Sequence, residues 1–343
     1  MKAVFFTETG SVDKIRYESL DLDEADLKEG EVRLKLLAGG LNHLDLWVIR
    51  GLPHLKMKFP HIAGADICAK VVETRSSKFL LGDRVLAYPA WTSRLGLGNE
   101  NLQKDFAVRG EAVSGLFQES LVLHEKELVF CPEHLSDEEG AALPLALLTA
   151  WQMIVEKAGI RPDEQDSSLG PVLVHGAGSG VTHAILELLI SFGVKELFVT
   201  SRAEEKLRPW EGRGLQVQSF HSGMGSDLKE KLKGRKFARI FDHIGEASFE
   251  TNIRLLETGG RLVSCGATSG FEARLDLRHL FFRQLQILGS TMGSLQHFQE
   301  AIDWAREKSL RLKISKVFSA SEVQTAYQLL NSGTQNSKLV LEF

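Results

Sequence analysis

Cysteine is scarce in this chain: Cys68, Cys131 and Cys265 are the only three in 343 residues, and no two are close enough in sequence to suggest a pair. That scarcity argues against a disulfide framework and against a thiolate metal site, and for a reducing compartment. No run approaches the roughly 18 uninterrupted apolar residues that a membrane span requires. The opening MKAVFFTETG lacks the apolar stretch and small-residue cleavage site of a secretory signal, so the expected location is cytoplasmic. An excess of one charge is missing as well. A net charge of −4 gives no electrostatic case for nucleic acid or an anionic membrane as partner. Internal repeats and low-complexity tracts are also absent. What remains is an ordinary globular composition, 43% hydrophobic and 25% charged, in a chain long enough for two domains.

The texture changes along the chain. Residues 1–125 carry short strand-like runs split by glycine and charged turns, such as Met1–Phe6, Glu31–Leu37, Lys70–Thr74 and Asp83–Tyr88, and read as a β-rich, barrel-like domain. Ser136 opens a helix, with Glu139 three residues on as a capping box, and the helical pattern runs to Ala158. From Gly170 the order is strand, glycine turn, helix, strand. Further strand-like runs follow at Arg239–Phe241, Arg261–Ser264 and Gln286–Leu288, with helical patterns between them. Strands alternating with helices predict a parallel sheet covered on both faces. A last helix (Ser321–Asn331) and strand (Lys338–Phe343) are placed to pack back on the first domain.

Most of the chemistry lies in the glycine turn. Val172–His175 is a buried strand, Gly176-Ala177-Gly178-Ser179-Gly180-Val181 is the turn, and Thr182–Phe192 is an amphipathic helix. Small residues let the backbone approach a pyrophosphate, and the helix start offers unbonded N–H groups and a favourable dipole. Thr182 stands where a third glycine often eases helix–strand packing. The next strand ends at Ser201-Arg202, with Lys206 one turn on, at the place where an acidic residue would hold the ribose 2′-hydroxyl of NAD. A hydroxyl and two cations suit a 2′-phosphate, so NADP(H) is expected over NAD(H), although Glu204 and Glu205 lie close by.

Several stretches together resemble the medium-chain dehydrogenase/reductase superfamily. They are Gly40-Leu41-Asn42-His43-Leu44-Asp45, Gly82-Asp83-Arg84-Val85, Ala141–Pro144 with Leu148–Trp151, the glycine turn, Phe241–Gly245 and Gly259–Val263. The resemblance covers essentially the whole length. It implies an α/β protein, with a doubly wound parallel Rossmann sheet at 129–296 and a split, β-rich GroES-like catalytic domain at 1–128 and 297–343. It also implies a cleft between them in which hydride passes to or from a nicotinamide. Further cofactor contacts carry over to Asn42, Thr149, Ile244, Gly245, Gly266, Ala267, Gly289, Ser290 and Thr291. Each of these also reads as an ordinary loop residue.

Within that superfamily the alcohol dehydrogenase branch begins the Asn42–Asp45 loop with a zinc-binding cysteine. Here it is Asn42, an amide and a poor zinc ligand. The second and third ligand positions fall at Ala65 and near Leu145, and the proton-relay hydroxyl falls at Leu44. A structural-zinc lobe would need four cysteines in the Trp91–Lys104 region, which has none. Asp66 reads as a turn or hydrogen-bonding residue. The remainder is similar to the zinc-free quinone oxidoreductase branch, so no metal is expected. The predicted reaction is hydride transfer from NADPH to a quinone or an α,β-unsaturated carbonyl, a small hydrophobic electrophile.

Asn42 and His43 are the catalytic candidates. His43, Tyr88 or solvent is the proton donor, with Tyr88 read first as a core or cleft-wall residue. Gly51-Leu52-Pro53-His54 lacks the tyrosine of mitochondrial-type enoyl thioester reductases, which counts against that substrate class. Trp47, Leu52, Trp91 and Phe117 are expected around the acceptor. Arg278, His279, Phe281, Phe282 and Arg283 form a basic-aromatic cluster beside an edge strand that often joins two subunits in this superfamily, so a homodimer is the default. Two other classes stay open: a zinc-type alcohol/aldehyde oxidoreductase, and a non-enzymatic NADPH-binding protein.

Overall fold

Strands of alternating inward and outward side chains dominate the first half of the chain, and parallel strands buried on both faces dominate the second. The computed structural model describes residues 1–22, 26–52, 55–162, 170–219, 230 and 232–343. Pro53 and His54, the end of the Gly51–His54 stretch, lie outside the described residues. The chain divides into two units, Met1–Leu148 with Gly293–Phe343, and Thr149–Met292.

The first unit is built on Glu31–Gly40. Val32, Leu34 and Leu36 turn inward while Lys35 faces water, the period-2 pattern of a half-buried strand. One side pairs antiparallel with Asp66–Thr74. On the other side the first half pairs with Ser120–His124 and the second half with Lys338–Glu342. Arg84–Ala87, Leu128–Phe130 and Ile314–Ser319 complete the sheet, and a smaller sheet orders Arg16–Ser19, Lys2–Phe6 and His61–Ile62. The core gathers Leu34, Ile67, Val85, Phe117, Tyr327 and Leu341. This is the β-rich, barrel-like domain.

The split falls after Leu148 and before Gly293, so residues 129–148 and 293–296 belong with the first unit rather than the second. Close packing is the reason. Strand Glu31–Gly40 ends in Ala38-Gly39-Gly40, and a Cβ on Gly40 would lie 2.2 Å from the Ala141 carbonyl oxygen. Arg84 donates to Asp137 at 2.7 Å, tying the same helix to the sheet. That helix, Asp137–Ala141, begins with the expected capping box. Glu139 N donates to Ser136 Oγ at 3.2 Å, and Ser136 N donates to Glu139 Oε2 at 2.9 Å. It is short. The helical pattern resumes at Pro144–Trp151, widens to a π-helix over Gln152–Ala158, and stops at Gly159 in left-handed conformation.

The second unit is a six-stranded parallel sheet. Its order is Gln216–Ser219, Leu197–Ser201, Val172–His175, Phe237–Asp242, Leu256–Ser264 and Gln286–Gly289. This is the doubly wound Rossmann order. The direction of winding reverses between Val172–His175 and Phe237–Asp242, the switch point at which open α/β sheets bind ligands. Helix Gly180–Ser191 starts two residues earlier than the pattern suggested, because Ser179 takes the N-cap position. Thr182, in the third-glycine place, is fully buried and donates to the His175 carbonyl at 2.8 Å. Among the described residues no helix is long and apolar enough to cross a membrane.

Candidate functional site

Residues of the second unit that the sequence singled out collect at the carboxyl ends of the parallel strands. Gly176 and Ala177 donate to the Thr200 carbonyl at 3.0 Å, which locks the turn onto the neighbouring strand. The first backbone bond of the helix is His183 N to Ser179 O at 3.0 Å, so the N–H groups of Gly180, Val181 and Thr182 have no partner within the helix. They form the anion-facing end of a dipole.

The glycines of the turn are there for room. A Cβ on Gly178 would meet the Lys206 Cδ at 2.4 Å, and one on Gly176, whose φ is +79°, would meet the His243 Nε2 at 2.5 Å. Lys206 therefore lays its stem over the turn, and burial lowers its ammonium pKa. Ser201 is buried and accepts from Ala203 N at 3.1 Å, while Arg202 is exposed.

The other strand ends meet beside it. Gly245 N donates to Asp242 Oδ2 at 3.0 Å, and a Cβ on Gly245 would lie 2.7 Å from the Ala267 Cα, so the loops at Ile244-Gly245 and Gly266-Ala267 are in contact. After Gly289, Ser290 N donates to the Ser264 carbonyl at 2.9 Å. Thr149 reaches the Thr291 loop through a 3.8 Å bond from its hydroxyl to Met292 Sδ. Two buried polar atoms here have no partner, Ser290 Oγ and His243 Nε2. Orphaned buried polar atoms of this kind call for a ligand or water.

His243 was not anticipated. Its place after the Phe241-Asp242 strand end was the available signal. Burial holds both His243 and His175 neutral by lowering their pKa values. A cavity of about 660 Å³ lined by Lys195, Phe198, Gln216 and Arg235 lies at the amino ends of the strands, away from this cluster.

In the first unit Asn42 caps helix His43–Arg50, and the Asn42 N–H donates to Asp45 Oδ2 at 2.9 Å. The Asn42 side chain is buried in a polar cluster. Its Nδ2 donates to Asp66 Oδ2 at 2.8 Å, and Lys338 Nζ donates to Asn42 Oδ1 at 2.8 Å and to Asp66 Oδ2 at 3.0 Å. Leu145 N donates to Asp66 Oδ1 at 2.7 Å. Asp66 is thus the hydrogen-bonding residue expected of it, and it is fully buried; Lys338 is 3% exposed. Tyr327 donates to Asp45 at 3.4 Å. Burial pushes the Asp45 carboxyl up to about 7, against the opposing pull of the Asn42 N–H and the Lys338 charge.

His43, at the first helical position, is exposed, with its ring edge-on to Trp47 at 5.6 Å. Tyr88, expected first as core or cleft wall, is fully buried and donates to the Gly293 carbonyl at 2.6 Å, and burial raises its phenol above the ordinary range. One expectation fails here. Phe117 is fully buried against Gly39 and Gly64 and lines core rather than a substrate pocket. Trp47 is half-buried, Leu52 packs partly buried against the core, and Trp91 is 39% exposed.

Two family models match the chain, the alcohol dehydrogenase GroES-like domain over residues 28–133 and the zinc-binding dehydrogenase model over residues 180–307. A solved NAD-dependent alcohol dehydrogenase is 33% identical with all of both chains covered and a TM-score of 0.89. The chain belongs to the medium-chain dehydrogenase/reductase superfamily. It is a nicotinamide-dependent oxidoreductase of that superfamily. Other members it is similar to include the chloroplastic quinone-oxidoreductase homolog of Spinacia oleracea, 26% identical over 97% of this chain and 95% of that one. The crotonyl-CoA carboxylase/reductase of Cereibacter sphaeroides is 25% identical over 87% of this chain and 76% of its own length.

The glycine cradle and the two orphaned polar atoms fit the nicotinamide dinucleotide of this superfamily. The first unit does not fit a zinc ion in the same way. Asn42 has both ends of its amide engaged, Ala65 and Leu145 bring alkyl groups, and an ammonium already sits on Asp66. Among the described residues no group of three or more His, Cys, Asp or Glu side chains is arranged to hold a metal.

Proposed function

We propose that this oxidoreductase works without zinc and passes hydride from NADPH to a quinone or an α,β-unsaturated carbonyl. The observation that carries the reading is the donor set of the first unit. An unactivated alcohol must lose a proton as it loses hydride, and a Lewis acid commonly prepares it for that. Positions 42, 65 and 145 offer no such ligand set. A conjugated acceptor spreads the incoming charge itself and needs chiefly to be held in place.

When bound, the nicotinamide supplies the hydride. The chain's own residues do the rest. The N–H groups of Gly180–Thr182 receive the pyrophosphate, the Lys206 ammonium joins Ser201 and Arg202 at the 2′-phosphate, the Ser290 and His243 side chains gain polar partners, and Asn42 orients the reacting groups. The exposed His43 imidazole, or solvent, returns the proton. Ser201 with the exposed Arg202, where no acid stands at the strand end, supports NADP(H) over NAD(H). The quinone-oxidoreductase and crotonyl-CoA relatives support a conjugated acceptor. The partly exposed Trp47 and Trp91 support an apolar one.

We further propose a homodimer through the edge strand Gln286–Gly289. There Phe281 and Phe282 are 60% and 74% exposed, and Arg283 is held by the Leu256 and Ile253 carbonyls.

One observation favours a second reading: the 33% identical solved neighbour is an NAD-dependent alcohol dehydrogenase. A side-by-side panel decides between them. Menadione and cyclohexenone with NADPH are tested against simple alcohols with NADP⁺ and NAD⁺, alongside elemental analysis. NADPH oxidation by the conjugated acceptors, no alcohol oxidation and no stoichiometric zinc are expected. Alcohol turnover or one tightly held zinc per chain refutes the reading, and silence on every acceptor moves it to a non-enzymatic NADPH-binding protein.

A further inference from the structure

The Lys338 ammonium is buried between Asn42 and Asp66, and nothing in the reaction just described uses it. Its neighbours fix what it does. An ammonium can only donate and a carboxylate only accepts, so the Asn42 amide between them has a single orientation, with Oδ1 toward Lys338 and Nδ2 toward Asp66. Nδ2 has the Gly40 carbonyl at 3.4 Å as a second, longer partner. The capacity left on the side chain is the second lone pair of Oδ1, an acceptor. An ion pair that served only to join strands would not need to hold both ends of an amide beside it. Nor would it need to lie at Asn42 and Leu145, two of the positions that carry ligands in the zinc branch.

We propose that Lys338 stands in the place of the metal as a positioning residue. Its ammonium holds Asn42 so that Oδ1 is offered as a fixed acceptor to a hydroxyl of the bound cofactor or acceptor molecule. Lys338 itself does not touch the reacting groups, because its ammonium is bonded to Asn42 and Asp66 and its side chain is only 3% exposed. This inference rests on the metal-free reading above.

Lys338→Met alone would strand the Asp66 carboxylate, and unpaired buried charge endangers folding. The test therefore uses neutral pairs: Lys338→Met with Asp66→Asn, and Lys338→Gln with Asp66→Asn, the second keeping an amide donor in place of the ammonium. Asn42→Ala is measured alone and added to each pair. NADPH oxidation with menadione gives kcat and KM, protein fluorescence gives the NADPH Kd, and thermal melting reports folding.

A folded Met/Asn pair should lose about tenfold or more in kcat, the scale of a misplaced reacting group, with NADPH Kd nearly unchanged. The Gln/Asn pair should recover part of that loss. Adding Asn42→Ala should cost less than about twofold further, because both changes act through one amide. A folded neutral pair with kcat within about twofold of the parent, or fully additive losses, overturns the role of Lys338. A zinc-containing or alcohol-oxidising parent instead overturns the reading beneath it, so the two failures are told apart.

Discussion

Asp45→Asn isolates a carboxyl in the first unit that burial drives toward neutrality. Asp45 is buried at the third position of its helix, accepts from the Asn42 N–H and the Tyr327 hydroxyl, and rises from 3.8 to about 7. Its folded pKa is above its unfolded one. The native state therefore holds the extra proton between those two values, and the stability it brings is complete below pH 3.8 and lost as pH climbs through about 7. At full weight the rise is worth about 4 kcal/mol. The opposing pull of the Lys338 charge is already contained in that rise, so about 4 kcal/mol is the upper size of the effect. Asparagine has the same shape and still accepts from the Asn42 N–H, so it removes the titration and keeps the cap. Urea unfolding of the two proteins at several pH values should give a parent that weakens between about pH 4 and about pH 7 relative to Asp45→Asn, leaving the variant the more stable at neutral pH. A stability difference that stays constant across that range refutes the argument that burial raises this carboxyl.

Two other substitutions read the remaining parts of the structure. Arg202→Ala should weaken NADPH binding roughly 10- to 100-fold and leave NADH nearly untouched, as removal of a charge-assisted phosphate contact does; equal losses for both dinucleotides, seen by fluorescence titration, would place Arg202 outside the 2′-phosphate site. Gly40→Ala would put a Cβ 2.2 Å from the backbone oxygen of Ala141, so the helix must shift, and a loss of about 1–3 kcal/mol is expected in denaturant unfolding.

What was legible in the sequence was local. The glycine turn could be read because a phosphate cradle needs strand, small residues and helix start in unbroken succession, and Gly176 to Val181 supply them in order. Ser136 and Glu139 announced their helix because a capping box spans only four residues. Alternation along Glu31–Gly40 and the buried parallel runs of the second unit gave the two layers their class. The Asn42 cluster was not legible. Lys338 lies 296 residues from Asn42 and 272 from Asp66, and no pattern along the chain pairs them. A lysine at the head of the apolar run Leu339–Leu341 was the available hint, since a charge that begins a buried strand needs a partner. The contact of Tyr88 was out of reach for the same reason: its hydroxyl is claimed by Gly293, 205 residues on. Residues 129–148 pack with the first unit although their helical texture resembles the second. The small residues that receive them, Gly39 and Gly40, are about a hundred positions upstream.

The pairing of Glu31–Gly40 with Lys338–Glu342 also sets an order of events during synthesis. Thr149–Met292 is one uninterrupted length of chain, and its six parallel strands can assemble as soon as that length has been made. The first unit cannot finish so early. Until residues 338–342 emerge, the Ala38–Gly40 half of its central strand presents open N–H and C=O groups, and the places of Leu339 and Leu341 in the core stay vacant. Half-finished sheet edges of this kind invite pairing with other chains, and joining segments far apart in sequence is slow. The early-made β domain therefore waits on residues 338–342, and its exposure to aggregation should track the time taken to translate the sequence between them.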